Sequence, residues 1–503
     1  MKPNYDWFIQ HWKDSAHVQL LSATELQAFS AKVQCRAEEV GRDDFHTLIG
    51  HCLYRALYEQ HLWGSMGGIL EDIIAPPTPG PLLPLFNGAV RVNGSGTRGA
   101  LEDDSGPLAM AGLSAFWVPW AVRDNPDYLD RAARWAVKCG FRYLRWFGMH
   151  DWEGGVQIRP GHLAEYEDLM DRSIKAVASY GLLSEITMFT RRSIVSGSPG
   201  DVADIFGDVV SANRESVVLV ECCNESAHSH NAFPIQDVHD VAMRFLQSCG
   251  DDTPLALSAP LSTSWEDIEQ HALDLYSGLL GNTDAVTIHY PRKDNTFEGP
   301  WRWVRQPWHS TPDNWSGGEI NGKFNGKIVV DNEHQRWDKS NGGRDVGVAV
   351  AGIVNAFICG CAMSCHHDVY GVVNNAGEYA DDPVAPRLQT VLSTVLPLIP
   401  QNITHYRAVR VGRTGLHPFP GLIEQQWSDP ENESDQGVSR CYAAVRGEKF
   451  VMALNGVKKQ VTLDAPGLHY KVVSLSSGET VYEGSGDTVV HQHDGNAFLV
   501  VSS

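Results

Sequence analysis

The 503-residue chain lacks most of the features by which a sequence declares a specialised class. It has no excess of positive charge: 40 Lys and Arg stand against 61 Asp and Glu, for a formal net charge of −21. Such an acidic surface repels phosphate backbones and no basic stripe offsets the repulsion, so nucleic acid is not an expected partner. No apolar run approaches the ~20 residues that a membrane-spanning helix needs. The nearest, Val348–Cys365, is interrupted by Asn355 and reads as a buried helix–strand unit. The opening MKPNYDWFIQHWKDS has neither the positive n-region nor the apolar h-region of a secretory signal, so a soluble chain synthesised in the cytoplasm is expected. The ten cysteines lie scattered through apolar runs without small-domain spacing, which argues for buried thiols rather than a disulfide scaffold.

Several chemical signatures are missing too. There is no G-x-S-x-G elbow and no P-loop. Gly94-Ser95-Gly96-Thr97-Arg98-Gly99 matches the dinucleotide pattern G-x-G-x-x-G, but no helix pattern follows it, so it reads as a turn. Cys361, Cys365, His366 and His367 crowd together without the spacing of a structural zinc site. No metal and no cofactor are expected.

What remains is an ordinary globular composition, 43% hydrophobic and 20% charged, on a chain long enough for more than one structural unit. Residues 1–80 read as a helical segment, with Leu20, Leu21, Leu26, Phe29 and Val33 at helical spacing, ending in the Pro-rich linker 76–81. Residues 81–403 alternate short β-rich runs with amphipathic stretches. The strand candidates are Ser114–Trp120, Tyr143–Phe147, Leu183–Phe189, Val217–Cys222, Leu255–Ser258, Ala285–His289, Lys327–Val330 and Ala356–Met363. Helix patterns cover Tyr128–Cys139, Leu163–Tyr180, Val238–Cys249 and Trp265–Leu280. Eight strands in about 300 residues fit a (β/α)₈ TIM barrel, although an open doubly wound sheet has the same local pattern. Residues 404–503 change to short alternating runs between Gly, Asn and Asp turns, the pattern of an antiparallel β-sandwich.

Two strand candidates end in the same dipeptide. Val217–Cys223 runs into Asn224-Glu225, and Lys327–Asp331 runs into Asn332-Glu333. In a barrel, groups at the C-terminal ends of strands converge, so a pair of carboxyl groups would meet at one mouth. With Asn-Glu ending the fourth strand and Glu333 ending the seventh, the chain resembles the clan A glycoside hydrolases, the cellulase-like superfamily of retaining barrel enzymes. The resemblance spans residues 100–400. It implies that Glu225 is acid/base and Glu333 the nucleophile, with Arg145 at the end of the second strand supporting Glu333. It also implies that His289 and Tyr290, at the end of the sixth, orient the site. The aromatic residue often found at the end of the eighth strand has no counterpart in Cys361–His367. Phrases such as Phe116-Trp117-Val118-Pro119-Trp120 also resemble barrel glycosidases encoded by bacteriophages, which leaves release or virion association open.

The resemblance implies double displacement on a β-linked oligo- or polysaccharide, with Glu225 protonated in the first step. Asp331 competes with Glu333, since residues two apart on an extended chain face the same way. Asn224 and Asn332 are candidates to hold sugar hydroxyls. Among fifteen tryptophans, Trp117, Trp146, Trp152 and Trp303 are candidate walls for sugar faces, and His150, Asp151 and Glu153 could line the cleft. Glu221 is expected to point into the lower barrel as a satisfied buried group. The rival reading is a barrel that binds carbohydrate without turnover, such as a virion adhesin.

Overall fold

Eight short parallel strands carry the fold: β1 Met110–Ser114, β2 Tyr143–Phe147, β3 Leu183–Phe189, β4 Val217–Cys223, β5 Leu255–Ser258, β6 Ala285–Ile288, β7 Ile328–Asp331 and β8 Met363–His366. They are buried on both faces, as a parallel sheet covered by helices requires. Hydrogen bonding runs in the order β5-β4-β3-β2-β1-β8-β7-β6. The two ends meet where Asp284, just before β6, donates its amide to the Leu255 carbonyl of β5 at 2.9 Å. The sheet is therefore a barrel, and the open doubly wound alternative is set aside.

The structure is a computed structural model that describes most of residues 86–502. Residues 1–85 lie outside the described residues, as do 260–273, 290–324, 334–344, most of 412–440 and several shorter loops. The expected N-terminal helical segment and linker, most of the helix at Trp265–Leu280, and Trp152, Glu153, Tyr290 and Trp303 all fall there. The chain divides into two units, Met1–Leu83 and Pro84–Ser503.

Helices alternate with the strands: α1 Val118–Asp124, α2 Pro126–Cys139, α3 Leu163–Ala178, α4 Pro199–Ala212, α5 Ile235–Cys249, α6 Val346–Cys359, α7 Val369–Val372 and α8 Ala385–Val395. Their ends follow local chemistry. Ser198 accepts from the Gly200 amide to start α4, Asp345 accepts from the Gly347 and Val348 amides to start α6, and left-handed Gly140 and Gly360 end α2 and α6.

Two expected strands are corrected. Ser114–Trp120 is the end of β1 followed by the first turn of α1, because Pro119 sits in that turn and cannot donate to a ladder. Ala356–Met363 is the last turn of α6, its glycine cap and the first residue of β8. The buried helix–strand unit read over Val348–Cys365 is α6 and β8. The G-x-G-x-x-G stretch joins strands Arg91–Asn93 and Ala100–Asp103 of a small antiparallel sheet.

One apolar cluster fills the barrel floor, with Leu101, Leu108, Met110, Tyr143, Leu183, Val218, Leu219, Ile328 and Met363 among its members. Gly112 of β1 is required here, since a Cβ would lie 2.3 Å from the Tyr143 ring that crosses it. A second cluster joins the outer faces of the strands to the helices.

After the barrel, strands Arg407–Val411, Cys441–Arg446, Lys449–Leu454, His469–Ser474, Thr480–Ser485 and Phe498–Ser502 form a six-stranded antiparallel sheet. A second antiparallel sheet of three strands alternates with it along the chain, completing a β-sandwich. The larger sheet packs on α6: Tyr442, Ala444, Val451, Ala453 and Leu499 share one core with it. That explains why every residue of α6 except Val348 is buried, since a helix covered all round must be apolar all round. Among the described residues, no helix is long and apolar enough to cross a membrane.

Candidate active site

Strand ends deliver the polar groups to one mouth of the barrel. Arg145 projects inward from β2, Asn224 and Glu225 follow β4, His289 follows β6, and Asn332 and Glu333 follow β7. One side-chain oxygen each from Glu225 and Glu333, together with a ring nitrogen of His289, lie within 4.8 Å of one another. Glu225 and Glu333 are also the most open of the set, with side chains 19% and 10% exposed.

Glu225 is held in an uncommon backbone conformation, φ +42°. For a residue with a Cβ this region is disfavoured by about 1–3 kcal/mol, so neighbouring bonds must impose it. Asn231 supplies them: its Nδ2 donates to the carbonyls of Asn224 at 2.7 Å and Glu225 at 3.2 Å. The His228 amide also donates to the Glu225 carbonyl, at 2.8 Å. The turn lifts the Glu225 carboxylate off the strand axis toward His289, whose Nδ1 lies 2.9 Å from Oε1.

His289 is tied on both sides. Its Nε2 meets Asn332 Oδ1 at 2.8 Å, and its Nδ1 faces Glu225 Oε1 at 2.9 Å and Glu333 Oε2 at 3.6 Å. Two carboxyl groups and an amide oxygen surround the ring, a setting that favours the imidazolium with both nitrogens donating. Burial favours the neutral ring, but the Glu333 and Glu225 carboxylates outweigh it and raise the group to about 9. The trio is also close enough to hold a metal ion, should His289 give up a ring proton.

Arg145 is wholly buried and spans the floor of the site. Nη1 donates to Glu333 Oε1 and to the Asn332 carbonyl, each at 3.1 Å. Nη2 donates to Glu221 Oε2 at 3.1 Å and to Asn224 Oδ1 at 2.9 Å. The guanidinium carbon lies 5.1 Å from the rings of both Phe116 and Phe147, which stack on each other at 3.8 Å. Burial alone would lower its proton affinity, but Glu221, Glu333 and Glu185 together hold it above the ordinary value. Glu185, on β3 with its Oε1 3.6 Å from Arg145 Nε, is pushed up by burial to about 8 despite that cation.

The expected residues divide by position. Glu225, Glu333, Arg145, Asn224, His289 and Asn332 come together. Arg145, expected to support Glu333, does contact it, and both Arg145 and Asn332 are fully buried with their bonds to protein groups beneath the mouth. Trp117 and Trp146 are corrected. Trp146 neighbours Arg145 on β2, and consecutive strand residues face opposite ways, so it packs into the helix layer. Trp117 is buried against Tyr128 and donates its indole N–H to the Tyr370 carbonyl at 2.8 Å. Asp331 is buried on β7, accepting from Ser364 at 3.2 Å, whereas Glu333 contacts Arg145. His150 is buried beside the Val372 carbonyl, and Asp151 is half-buried.

Sequence reasoning missed Asn231, Phe116, Phe147 and Glu185. For Phe147 and Glu185 a signal existed: Phe147 shares the period of two with Arg145 on β2, and Glu185 is a lone charge inside the apolar run of β3. Asn231 had none, since its role depends on how the loop after β4 folds back.

No family model matches the chain, and no curated protein matches it. Among solved structures the chain is similar to one described as a glycoside hydrolase, at 14% identity and TM-score 0.52, covering 83% of this chain and 97% of the other. It is also similar to a glycoside hydrolase family 5 protein from Bacteroides vulgatus ATCC 8482, at 14% identity and TM-score 0.55, covering 83% and 94%. Likeness at this identity shows the fold, a (β/α)₈ barrel followed by an antiparallel β-sandwich.

Proposed function

We propose that the protein is a retaining glycoside hydrolase acting on a β-linked oligo- or polysaccharide. The observation that supports this reading is that one carboxyl oxygen of Glu225 and one of Glu333 lie within 4.8 Å of each other at the barrel mouth. Retaining glycosidases hold their two carboxyl groups about 5–5.5 Å apart, while inverting enzymes need about 6.5–9.5 Å to admit a water. The preference for β-linkages rests on the resemblance to clan A enzymes, and two similar structures described as glycoside hydrolases support the reaction class.

In this mechanism Glu333, kept ionised by Arg145, attacks the anomeric carbon while Glu225 gives its proton to the departing glycosidic oxygen. Glu225 then takes a proton from water, which breaks the glycosyl–Glu333 ester with net retention. His289 lies beside both carboxyl groups and serves to orient them. As Glu333 loses its charge on bonding, the imidazolium can shift its hydrogen bond wholly to Glu225 as that group becomes anionic.

The test is a panel of aryl β-glycosides and β-glucans, with the anomeric configuration of the first product read by NMR. A 2-deoxy-2-fluoro glycoside with a good leaving group should label Glu333, as located by peptide mass spectrometry. Inverted product, or a label on Asp331, would overturn the mechanism. Binding of the oligosaccharide without turnover would favour the non-catalytic barrel instead.

A further inference from the structure

Beneath the two carboxylates lies a third that the reaction does not use. Glu221 of β4 lies four residues before Glu225 and has no exposed surface. Burial of an ionised carboxylate is tolerated only when donors replace water. Glu221 has four, each from a different strand or strand end. Oε2 accepts from Arg145 Nη2 of β2 at 3.1 Å, Thr187 Oγ1 of β3 at 2.8 Å and Asn332 Nδ2 after β7 at 3.3 Å. Oε1 accepts from Thr287 Oγ1 of β6 at 2.6 Å.

Two of those donors are the groups that set the site above. Arg145 places its other terminal nitrogen on Glu333 Oε1, and Asn332 places its other amide atom on His289 Nε2. Glu221 therefore fixes both chains of contact that reach the mouth, one through the guanidinium to Glu333 and one through the amide to the imidazolium. It also shares the charge of Arg145 with Glu333, so the cation acting on Glu333 is partly neutralised from below. An apolar residue here would fill the space but leave Arg145 Nη2 with Asn224 alone and remove the Glu221 acceptor of Asn332 Nδ2.

We propose that Glu221 is a positioning residue that orients Arg145 and Asn332 and moderates the charge Arg145 exerts on Glu333. This rests on the reading of Glu333 as nucleophile. A nucleophile too strongly held by a cation is a poor one, so the neutralisation keeps Glu333 ionised yet reactive. The groups facing Glu221 are Arg145, Glu185, Thr187, Tyr276, Thr287 and Asn332; those facing Glu333 are Arg145, Glu225, His289 and Cys365.

The experiment compares the full chain with Glu221→Gln, Glu221→Asp and Thr287→Val. It reads kcat and KM, the acid limb of the pH–rate profile, and the Glu333 carboxyl titration by ¹³C NMR, with that resonance assigned by its loss in Glu333→Gln. Removing the charge should lower the Glu333 titration and the acid limb together by about one unit, with kcat down ~10–100-fold and KM within about twofold. Glu221→Asp, which keeps the charge, should return the titration toward wild type. Thr287→Val removes the 2.6 Å hydrogen bond and keeps the buried charge and side-chain shape, so it serves as the milder second variant beside Glu221→Gln. A less shielded Glu221 draws more on Arg145, so here the Glu333 titration should move upward. Shifts absent from both Glu221→Gln and Thr287→Val would overturn the proposal, as would kcat losses that merely track losses in Tm. Should wild type turn over no glycoside, the hydrolase reading fails while the NMR titration still decides the role of Glu221.

Discussion

Arg145 Nη1 lies 3.1 Å from Glu333 Oε1, and the guanidinium reaches three other protein groups from the same wholly buried position. A planar fork with five donors can span such partners, whereas a lysine ammonium is a single point and cannot. Arg145→Lys should therefore lower kcat/KM by at least ~10²-fold on any substrate the protein turns over, even though the charge is kept. Arg145→Met should cost about 3–5 kcal/mol in urea denaturation, because it leaves Glu221 fully buried without its cation. Near-wild-type rates in Arg145→Lys would show that charge alone, rather than the fork, matters.

The two carboxylates can be separated by leaving group. A substrate whose leaving group departs unaided, such as a dinitrophenyl β-glycoside, does not need the proton from Glu225 to form the glycosyl-enzyme. Glu225→Ala should keep a fast first step on such a substrate and stall at the second, with azide in the medium restoring turnover as a β-glycosyl azide. Glu333→Ala should show neither burst nor azide product of that configuration. Reversal of the two patterns would exchange the roles of the residues.

How much of this was legible in the chain follows from strand geometry. The site was readable because barrel strands end at one face, so Asn-Glu after Val217–Cys223 and Asn-Glu after Ile328–Asp331 had to converge once the sheet closed. The errors came from reading side-chain position without side-chain direction. Arg145 and Trp146 are neighbours on one strand and cannot both face the barrel interior, yet both were expected at the site. Asp331 and Glu333 were expected to face alike, but β7 ends at Asp331 and the chain turns, so only Glu333 meets Arg145. The misplaced first and eighth strands share a cause: apolar runs at Ser114–Trp120 and Ala356–Met363 are equally fit for strand and buried helix, and only Pro119 and Gly360 mark the boundaries.

His289 and Glu185 make stability depend on pH in the same direction. His289 sits at about 9 against an ordinary 6.5, so the folded state binds its proton more tightly. Its contribution is complete below pH 6.5 and disappears as the pH rises through about 9. Glu185 sits at about 8 against an ordinary 4.5, so its contribution is complete below 4.5 and is lost as the pH rises through about 8. Thermal unfolding should therefore fall in Tm from pH 6 to pH 9.5, and Glu185→Gln should flatten the part below pH 8, raising Tm at that pH by at least ~2 °C. A steeper fall in Glu185→Gln would contradict the assignment.

The last prediction concerns the turn that presents Glu225. A non-glycine residue at φ +42° stays there only because its surroundings insist, and the side chain of Asn231 does so by bonding two successive carbonyls. Asn231→Leu keeps the branched shape and removes both bonds. The turn should then relax toward negative φ, carrying the Glu225 carboxylate away from His289 and out of line with the leaving oxygen. The expected result is a ~10²-fold loss of kcat on poor leaving groups and much less on activated ones, since only the proton donor is displaced. Stability should fall by about 1–3 kcal/mol, because the Asn224 carbonyl loses its side-chain donor and the Glu225 carbonyl keeps only the His228 amide. Equal losses on both substrate classes would mean that Asn231 supports the whole mouth rather than the acid/base residue.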